Sequence, residues 1–367
     1  MSLSRRKVLS VVGGGVILAA GGAGAFLGTR TPSKALAPWS AAGGYSEPRQ
    51  RALSYAILAP NPHNRQPWEV DLSESGVVTI WRDKTRNLPE TDPFDRQLTI
   101  GMGCFLELLA IAAGETGHKV SFEHFPDGED GRVARASFAE GGAKDPLFAH
   151  VLNRRSCKEP YQDRAVPAEM ASKLAGIAKV YTDADMVKRL KDLTWAAFQV
   201  EIETPRTMKE SVDLFRMGKA EINANPDGID LGGPFLETLM LFGMLTREGQ
   251  MNPTSSEFAQ GRDMYREMLA ATPAYAVITT PKNDRMAQIQ AGRQWLRLNL
   301  MATGLGLAMQ PVSQALQEYP EMAAHYKKAH ELLAPDGSTV QMLGRLGFGP
   351  EVSQSPRWPL ETRIRNA

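Results

Sequence analysis

The sequence predicts an α+β fold, and three observations carry that prediction. Apolar stretches with helical spacing are interspersed with short β-rich runs, without the regular strand–helix alternation of a parallel α/β sheet. Neighbouring strand candidates are separated by short clusters of turn residues, which suits antiparallel pairing. At 367 residues, less an N-terminal leader, the chain can fill one large or two medium domains with a real core.

The elements follow in order. Residues 47–59 form a short helix, and Val70 to Trp81 a hairpin around Ser-Glu-Ser-Gly. Gln97 to Gly114 is an apolar helix carrying Leu98, Ile100, Phe105, Leu108, Leu109 and Ala112. Strands are predicted over Lys119–Phe125 and Val133–Phe138, parted by Pro-Asp-Gly-Glu-Asp-Gly. Asp145-Pro146 is an N-cap and N1 pair for a helix running to Arg155, and another helix starts at Pro167. Residues 180–272 read as largely helical and Met-rich. Tyr275–Thr280 is a short strand, a long helix runs from Asp284 toward Gly304, and Gln341–Phe348 is a final strand.

The first 37 residues read as a leader. Ser4-Arg5-Arg6-Lys7-Val8-Leu9 resembles the twin-arginine export motif, and a mildly apolar stretch with seven glycines follows over residues 9–28. Glycine is a poor helix former, so the stretch reads as a signal core rather than a strong membrane span. Ala35-Leu36-Ala37 is a small-x-small cleavage site. An uncleaved anchor is the alternative, because about 20 residues suffice to cross a bilayer. Either way the body is expected outside the cytoplasm, in the periplasm, after passage through the twin-arginine translocase. That route carries folded chains and so tolerates a cofactor bound beforehand.

Composition excludes several classes. A net charge of +1 gives no electrostatic reason for nucleic acid as a partner. Cys104 and Cys157 form no Cys-x-x-Cys pair and read as small buried hydrophobes. The six histidines show no metal-ligand spacing, so no metal is expected.

The chemistry is concentrated in a few stretches. Residues 59–68 read Ala-Pro-Asn-Pro-His-Asn-Arg-Gln-Pro-Trp. Pro60, Pro62 and Pro67 fix φ and remove donors, leaving Asn61, Asn64 and Gln66 to project from a stiff loop. Carboxamides donate and accept, which suits a ring edge of alternating polarity. Read without a family, such a turn is a Pro-rich connector. In register, it resembles the flavin-contacting turn of the nitroreductase superfamily. Asn153-Arg154-Arg155-Ser156-Cys157-Lys158 resembles that family's phosphate patch, in which Arg154, Ser156 and Lys158 would hold the phosphate of FMN; alone it is a solvated basic cap. Ser355-Pro356-Arg357-Trp358 resembles the closing turn, whose arginine also reaches the phosphate. Ala302 to Ser313 resembles the segment beside flavin N5, which implies roles for Gln310, Pro311 and Ser313. Its Gly304 and Gly306 are equally helix-end signals and not a dinucleotide fingerprint.

The resemblance covers roughly residues 47–125, 150–170 and 272–362. The ring-contact turn occurs only before residue 150 and the phosphate patch only after it. That distribution is similar to the Acg-type branch, single chains that imply two nitroreductase-like halves fused into a pseudo-dimer around a mixed, mainly antiparallel sheet flanked by helices. The halves are then 38–150 and 151–367, the second with a helical insertion at about 180–272. The sequence departs from the family pattern at Asn61, where serine is usual, at Pro62, and at Lys158, where arginine is commoner.

The resemblance implies an FMN-dependent oxidoreductase passing electrons through flavin N5 to a small acceptor, a nitroaromatic or quinone. The donor would be NAD(P)H, a quinol or a redox protein, and no protein side chain need act as acid or base. A flavin-sequestering protein with a lidded site is the alternative, and a flavin-free exported scaffold a third. The apolar run Pro234–Leu245 fits either the lid or a core helix.

Overall fold

The computed structural model describes residues 29–365. The arginine pair and apolar stretch expected of the leader lie outside the described residues. Helices α1 (Ser33–Ala41) and α2 (Pro48–Ala56) lead to strands β1 (Trp68–Asp71) and β2 (Val77–Arg82), helix α3 (Arg96–Gly114), β3 (His118–His124) and β4 (Ala134–Glu140). Helix α4 (Ala168–Leu174) precedes β5 (Lys179–Tyr181). An excursion follows through α5 (Ala184–Glu203), α6 (Pro205–Asp213), β6 (Phe215–Met217), α7 (Gly218–Ala224), β7 (Ile229–Leu231), α8 (Pro234–Leu241), α9 (Arg247–Met251) and α10 (Ser256–Ala270). Then come β8 (Ala274–Thr280), α11 (Arg285–Gly304), β9 (Ala308–Pro311), α12 (Ala323–Leu333) and β10 (Thr339–Gly347).

The strands form two four-stranded antiparallel sheets and one short parallel pair, β6 with β7, so the fold is α+β as the sequence predicts. The first sheet has the order β1-β2-β4-β3 and the second β5-β8-β10-β9. Each consists of two strands, a long helix, then two strands, joined in the same spatial order. They differ chiefly in one connection: residues 72–76 close β1 onto β2, while the whole excursion α5–α10 fills the equivalent link from β5 to β8.

The two long helices, α3 and α11, pack against each other between the sheets. Their backbones meet at Gly103 and Gly292. A Cβ on Gly103 would lie 2.2 Å from the Ile289 carbonyl oxygen, and one on Gly292 would lie 2.0 Å from that of Ile100. Only glycine allows that approach. Glu107 of α3 clamps the same contact, accepting from Arg293 Nε at 2.6 Å and Arg297 Nη1 at 2.7 Å. One hydrophobic core runs across both sheets, from Trp68, Ile80 and Phe105 to Trp295, Met309 and Leu346. Helix α3 is long and apolar enough to cross a membrane, yet it is buried inside this core. Its N-terminus is capped from a distance: the buried Asp92 carboxylate accepts from the Gln97 and Leu98 amides at 3.0 and 2.9 Å.

Two expectations need correction. The helix predicted from Asp145 to Arg155 is only a 3-10 turn, Pro146–His150. Beyond it the Cys157 amide pairs with the Met309 carbonyl at 2.9 Å, and this tertiary backbone bond takes the segment out of helix. The core-helix reading of Pro234–Leu245 also fails, because no residue of α8 is buried.

Candidate functional site

The turn after α2 is the most contorted backbone among the described residues. His63, Asn64 and Gln66 have φ of 46°, 52° and 49°, a left-handed region that side chains other than glycine rarely adopt. Strain of that kind persists only where the surroundings impose it, and here the carboxamides do. Asn61 Oδ1 accepts from the Gln66 amide at 2.7 Å, folding the turn on itself. Asn64 Oδ1 accepts from Arg357 Nη1 at 2.6 Å, and its Nδ2 donates to the Pro356 carbonyl at 3.0 Å. Gln66, wholly buried, donates through Nε2 to the Pro226 carbonyl at 2.6 Å and accepts from the Trp358 amide at 2.9 Å. Asn61 thus braces the loop from within, while Asn64 and Gln66 turn inward and fasten it to the C-terminal turn, where the sequence predicts that all three project. The left-handed residues need local partners, and the carboxamides supply them.

That network delivers two arginines to one point. Arg154 Nη2 and Arg357 Nη2 both donate to the Leu58 carbonyl at 3.1 Å, and Arg357 also reaches the Ala59 carbonyl at 3.2 Å. Both guanidiniums are almost completely buried. Neither they nor Arg155 nor Lys158 has a carboxylate in ion-pair contact among the described residues. Burial, then the neighbouring Arg155, pulls Arg154 down to about 10. Burial, then Arg154 and Arg155, pulls Arg357 down to about 9. Arg357 Nε is buried without a partner. Helix α1 roofs the pair: the Trp39 ring lies 4.9 Å from the Arg155 guanidinium and 5.7 Å from that of Arg357, and the Arg357 amide donates to the Ala35 carbonyl at 2.8 Å. Ala35-Leu36-Ala37 thus lies within a packed helix, with Ala35 buried.

Lys158 and Asp230 face the same space. Each keeps exposed surface, yet burial pushes the lysine below its usual value and the aspartate above its own, while each charge partly offsets the other's shift. Both side chains reach that space from the protein surface. His63 borders it. Burial, with Lys158 and Arg65 adding to it, lowers this imidazole to about 4, and its Nδ1 is buried without a partner. Ser156 is half-buried between the two cationic positions.

The β9 residues sit apart from the arginine pair. Gln310 Oε1 accepts from Arg345 Nε at 2.7 Å, and Arg345 in turn holds the Cys157 carbonyl at 3.0 Å and the Glu159 carbonyl at 2.5 Å. Gln310 therefore braces the segment carrying Ser156 and Lys158. Pro311 pairs with Gly344 in the sheet, and Ser313 Oγ donates to Gln97 at 3.1 Å. Gln97 lies one helical turn from Gly101, where a Cβ would meet Asn61 and Pro62 at 3.1 Å, so this end of β9 adjoins the turn through α3.

Sequence reading gave no role to Arg345, His63 or Asp227. An arginine inside an otherwise apolar strand was a signal for the first. Asp227 had none: it lies in the excursion and accepts from Arg86 Nη1 at 2.6 Å, Arg216 Nη2 at 2.8 Å and Arg65 Nη1 at 3.2 Å.

A chain with duplicated sheet topology and a buried arginine pair facing no carboxylate has the makings of an anion-binding protein. Comparison gives the family. The chain is 34% identical over 321 residues to a Mycobacterium tuberculosis protein provisionally named NAD(P)H nitroreductase acg, a match spanning 83% of this chain and 90% of that one. It is 24% identical over 339 residues to a second protein of that organism, provisionally named NAD(P)H nitroreductase MT3217, spanning 86% and 93%. The chain belongs to the nitroreductase family. No family model matches it. Among solved structures, the FMN-dependent nitroreductase NfnB of Mycobacterium smegmatis in complex with NADPH aligns with a TM-score of 0.38 at 16% identity, covering 59% of this chain and 95% of that one. A nitroreductase-type protein of Anabaena variabilis aligns with a TM-score of 0.40 at 12% identity, covering 80% and 82%. Neither alignment adds to the assignment.

Proposed function

We propose that the protein is an exported, FMN-binding oxidoreductase whose single flavin site is assembled from two fused nitroreductase-like halves. One observation carries the reading: Arg154 and Arg357 converge on the Leu58 carbonyl, buried and without a carboxylate. Two desolvated guanidiniums that repel each other are stabilised by an anion, and a phosphate monoester matches their fork geometry. Ser156 adds a hydroxyl donor and Lys158 a point charge. Asn61, Asn64 and Gln66 hold the turn that fixes Arg357, while Gln310 braces the phosphate segment through Arg345. Pro311 and Ser313 shape the β9 side.

Bound there, FMN would supply hydride acceptance and electron delivery. The chain's own contribution is to grip the phosphate, exclude water with α1 and Trp39, and present a neutral His63 near Lys158. The identical connection order of the two sheets supports fusion of the halves 38–150 and 151–367. The relatives' names speak for NAD(P)H as donor; an exported body speaks for a quinol or redox protein. A nitroaromatic or quinone is the acceptor class.

A second reading, flavin sequestration, is favoured by one feature. The excursion is latched onto the ring-contact turn through Pro226, Asp227 and the Gly228 amide, which donates to Asn64 at 3.3 Å. The test is the visible spectrum of purified full-length protein, then anaerobic mixing with NADPH, NADH, a quinol and dithionite. Yellow protein bleached by a nucleotide or quinol supports the oxidoreductase. Bleaching by dithionite alone supports the covered site, and colourless protein that binds no added FMN overturns both.

A further inference from the structure

The end of α8 is an apolar tip in water. Leu241, Phe242 and Met244 are 72%, 68% and 51% exposed, three large apolar side chains within four consecutive residues. It is not a frayed end. Gly243 takes φ of 64°, its amide donates to the Met240 carbonyl at 3.0 Å, and the Met244 amide donates to the Leu239 carbonyl at 2.8 Å. This is the paired bonding of a Schellman motif, which fixes the direction in which the last side chains point. A soluble protein that builds a rigid apolar projection has a use for it.

The tip's position indicates the use. The described chain begins beside α8: the Thr29 carbonyl accepts from Lys219 Nζ at 2.7 Å, and Arg30 Nη1 meets Glu237 Oε2 at 3.1 Å. Glu237 precedes Leu241 by four residues, which places the tip about 6 Å along the helix from that junction. Ahead of Thr29 lie residues 9–28, the apolar stretch with Arg5, Arg6 and Lys7 before it. A bilayer holding that stretch would lie against α8. The cations at the junction, Arg30, Lys34 and Lys219, suit a headgroup layer, and side chains such as Leu, Phe and Met suit insertion about 5–10 Å below it.

We infer that the α8 tip docks on a lipid surface, as a second contact beside an N-terminal stretch that remains in the membrane. This rests on the export reading in Proposed function and not on FMN binding. Ala35 fits it, since the small-x-small site is folded into α1 against Arg357 and Asn223 and is closed to a peptidase that needs extended chain.

The test uses the full-length chain with Phe242→Cys carrying a polarity-sensitive fluorophore. Labelling is selective because Cys104 and Cys157 are buried. The control is Ala139→Cys, exposed on β4. With vesicles of phosphatidylethanolamine and phosphatidylglycerol, emission from position 242 should move to shorter wavelength and be quenched by brominated lipid, while position 139 stays unchanged. Flotation with vesicles without that shift overturns tip docking and leaves the anchored leader standing. Failure to float overturns both, with flavin content reporting separately on the FMN site. A shift without lipid that grows with protein concentration overturns lipid docking in favour of a second copy of this chain. Aspartate at 241, 242 and 244 should abolish the brominated-lipid effect at a probe on position 245 with flavin content unchanged.

Discussion

Two arginine clusters adjoin the turn at residues 61–66, and they are opposites. Around Asp227, Arg65, Arg86 and Arg216 share one carboxylate that is 8% exposed, with Asp83 also held by Arg86 at 3.0 Å. Around the Leu58 carbonyl, Arg154 and Arg357 share only neutral acceptors, and burial and nearby guanidiniums lower both: Arg154 and Arg155 act on Arg357, and Arg155 on Arg154. Charge is held away from bulk water in both places, but in the first cluster every guanidinium has a carboxylate of the chain and the cluster latches the excursion to the turn, whereas the second has no carboxylate in contact. The same residue type is a structural clamp when its counterion is in the chain and is left open to an outside anion when it is not.

The largest effect should come from removing the counterion in the first cluster. Asp227→Ala leaves Arg65 and Arg216 without a carboxylate and Arg86 with Asp83 alone, at a cost of about 3–5 kcal/mol, read as a fall in the urea midpoint. A loss under about 1 kcal/mol would mean the latch is solvated and the contrast false. Next comes the second cluster. Arg154→Ala and Arg357→Ala should each weaken FMN retention by about 1.5–3 kcal/mol, measured by flavin content after dialysis. Flavin-free, these variants should lose less stability than Asp227→Ala, since each removal relieves a repulsion; unchanged flavin content in the double variant would remove the phosphate assignment. Inorganic phosphate gives a gentler probe. At ten times its Kd it should stabilise the flavin-free wild type by about 1.4 kcal/mol and leave the double variant unmoved.

The smallest effect extends the comparison to a buried acid without a cation. Glu201 is buried with Oε2 unpartnered, and burial raises its carboxyl to about 7. A raised folded-state value means the contribution is full below the unfolded value, near 4.5, and is lost as pH climbs through about 7. Glu201→Gln should therefore flatten the decline in urea midpoint between pH 5 and 8, and a parallel decline in both proteins would refute the assignment.

The sequence made the fold legible where pattern and local chemistry agree. The hairpin at Trp68–Arg82, helix α3, the strand pair β3–β4 and helix α11 with its Asp284 cap were readable because periodicity, turn residues and caps coincide. Helix α12 and strand β9 were not, because their identity depends on neighbours: β9 is a strand through its pairing with β10. In the site, residue types were legible and directions were not. Arg154 and Arg357 were marked by resemblance to the family's phosphate patch and closing turn, but that Gln66 bonds Pro226, or that Gln310 serves Arg345, follows from contacts 160 and 35 residues apart in sequence. Asp227 could not be found at all, since a lone acid in a turn announces no partners.

The crossing at Gly103 and Gly292 has a consequence for descent. Side-chain interfaces drift, because a lost contact at one position can be regained at another. A backbone-to-backbone notch has no such substitute: with carbonyl oxygens 2.2 and 2.0 Å from where either Cβ would stand, the first step of any replacement is a clash. The sheets around it can diverge and the link between β5 and β8 can swell by a whole helical excursion, yet this point stays pinned. A side chain at either position has to push one long helix off the other, and with it the sheet that the helix carries.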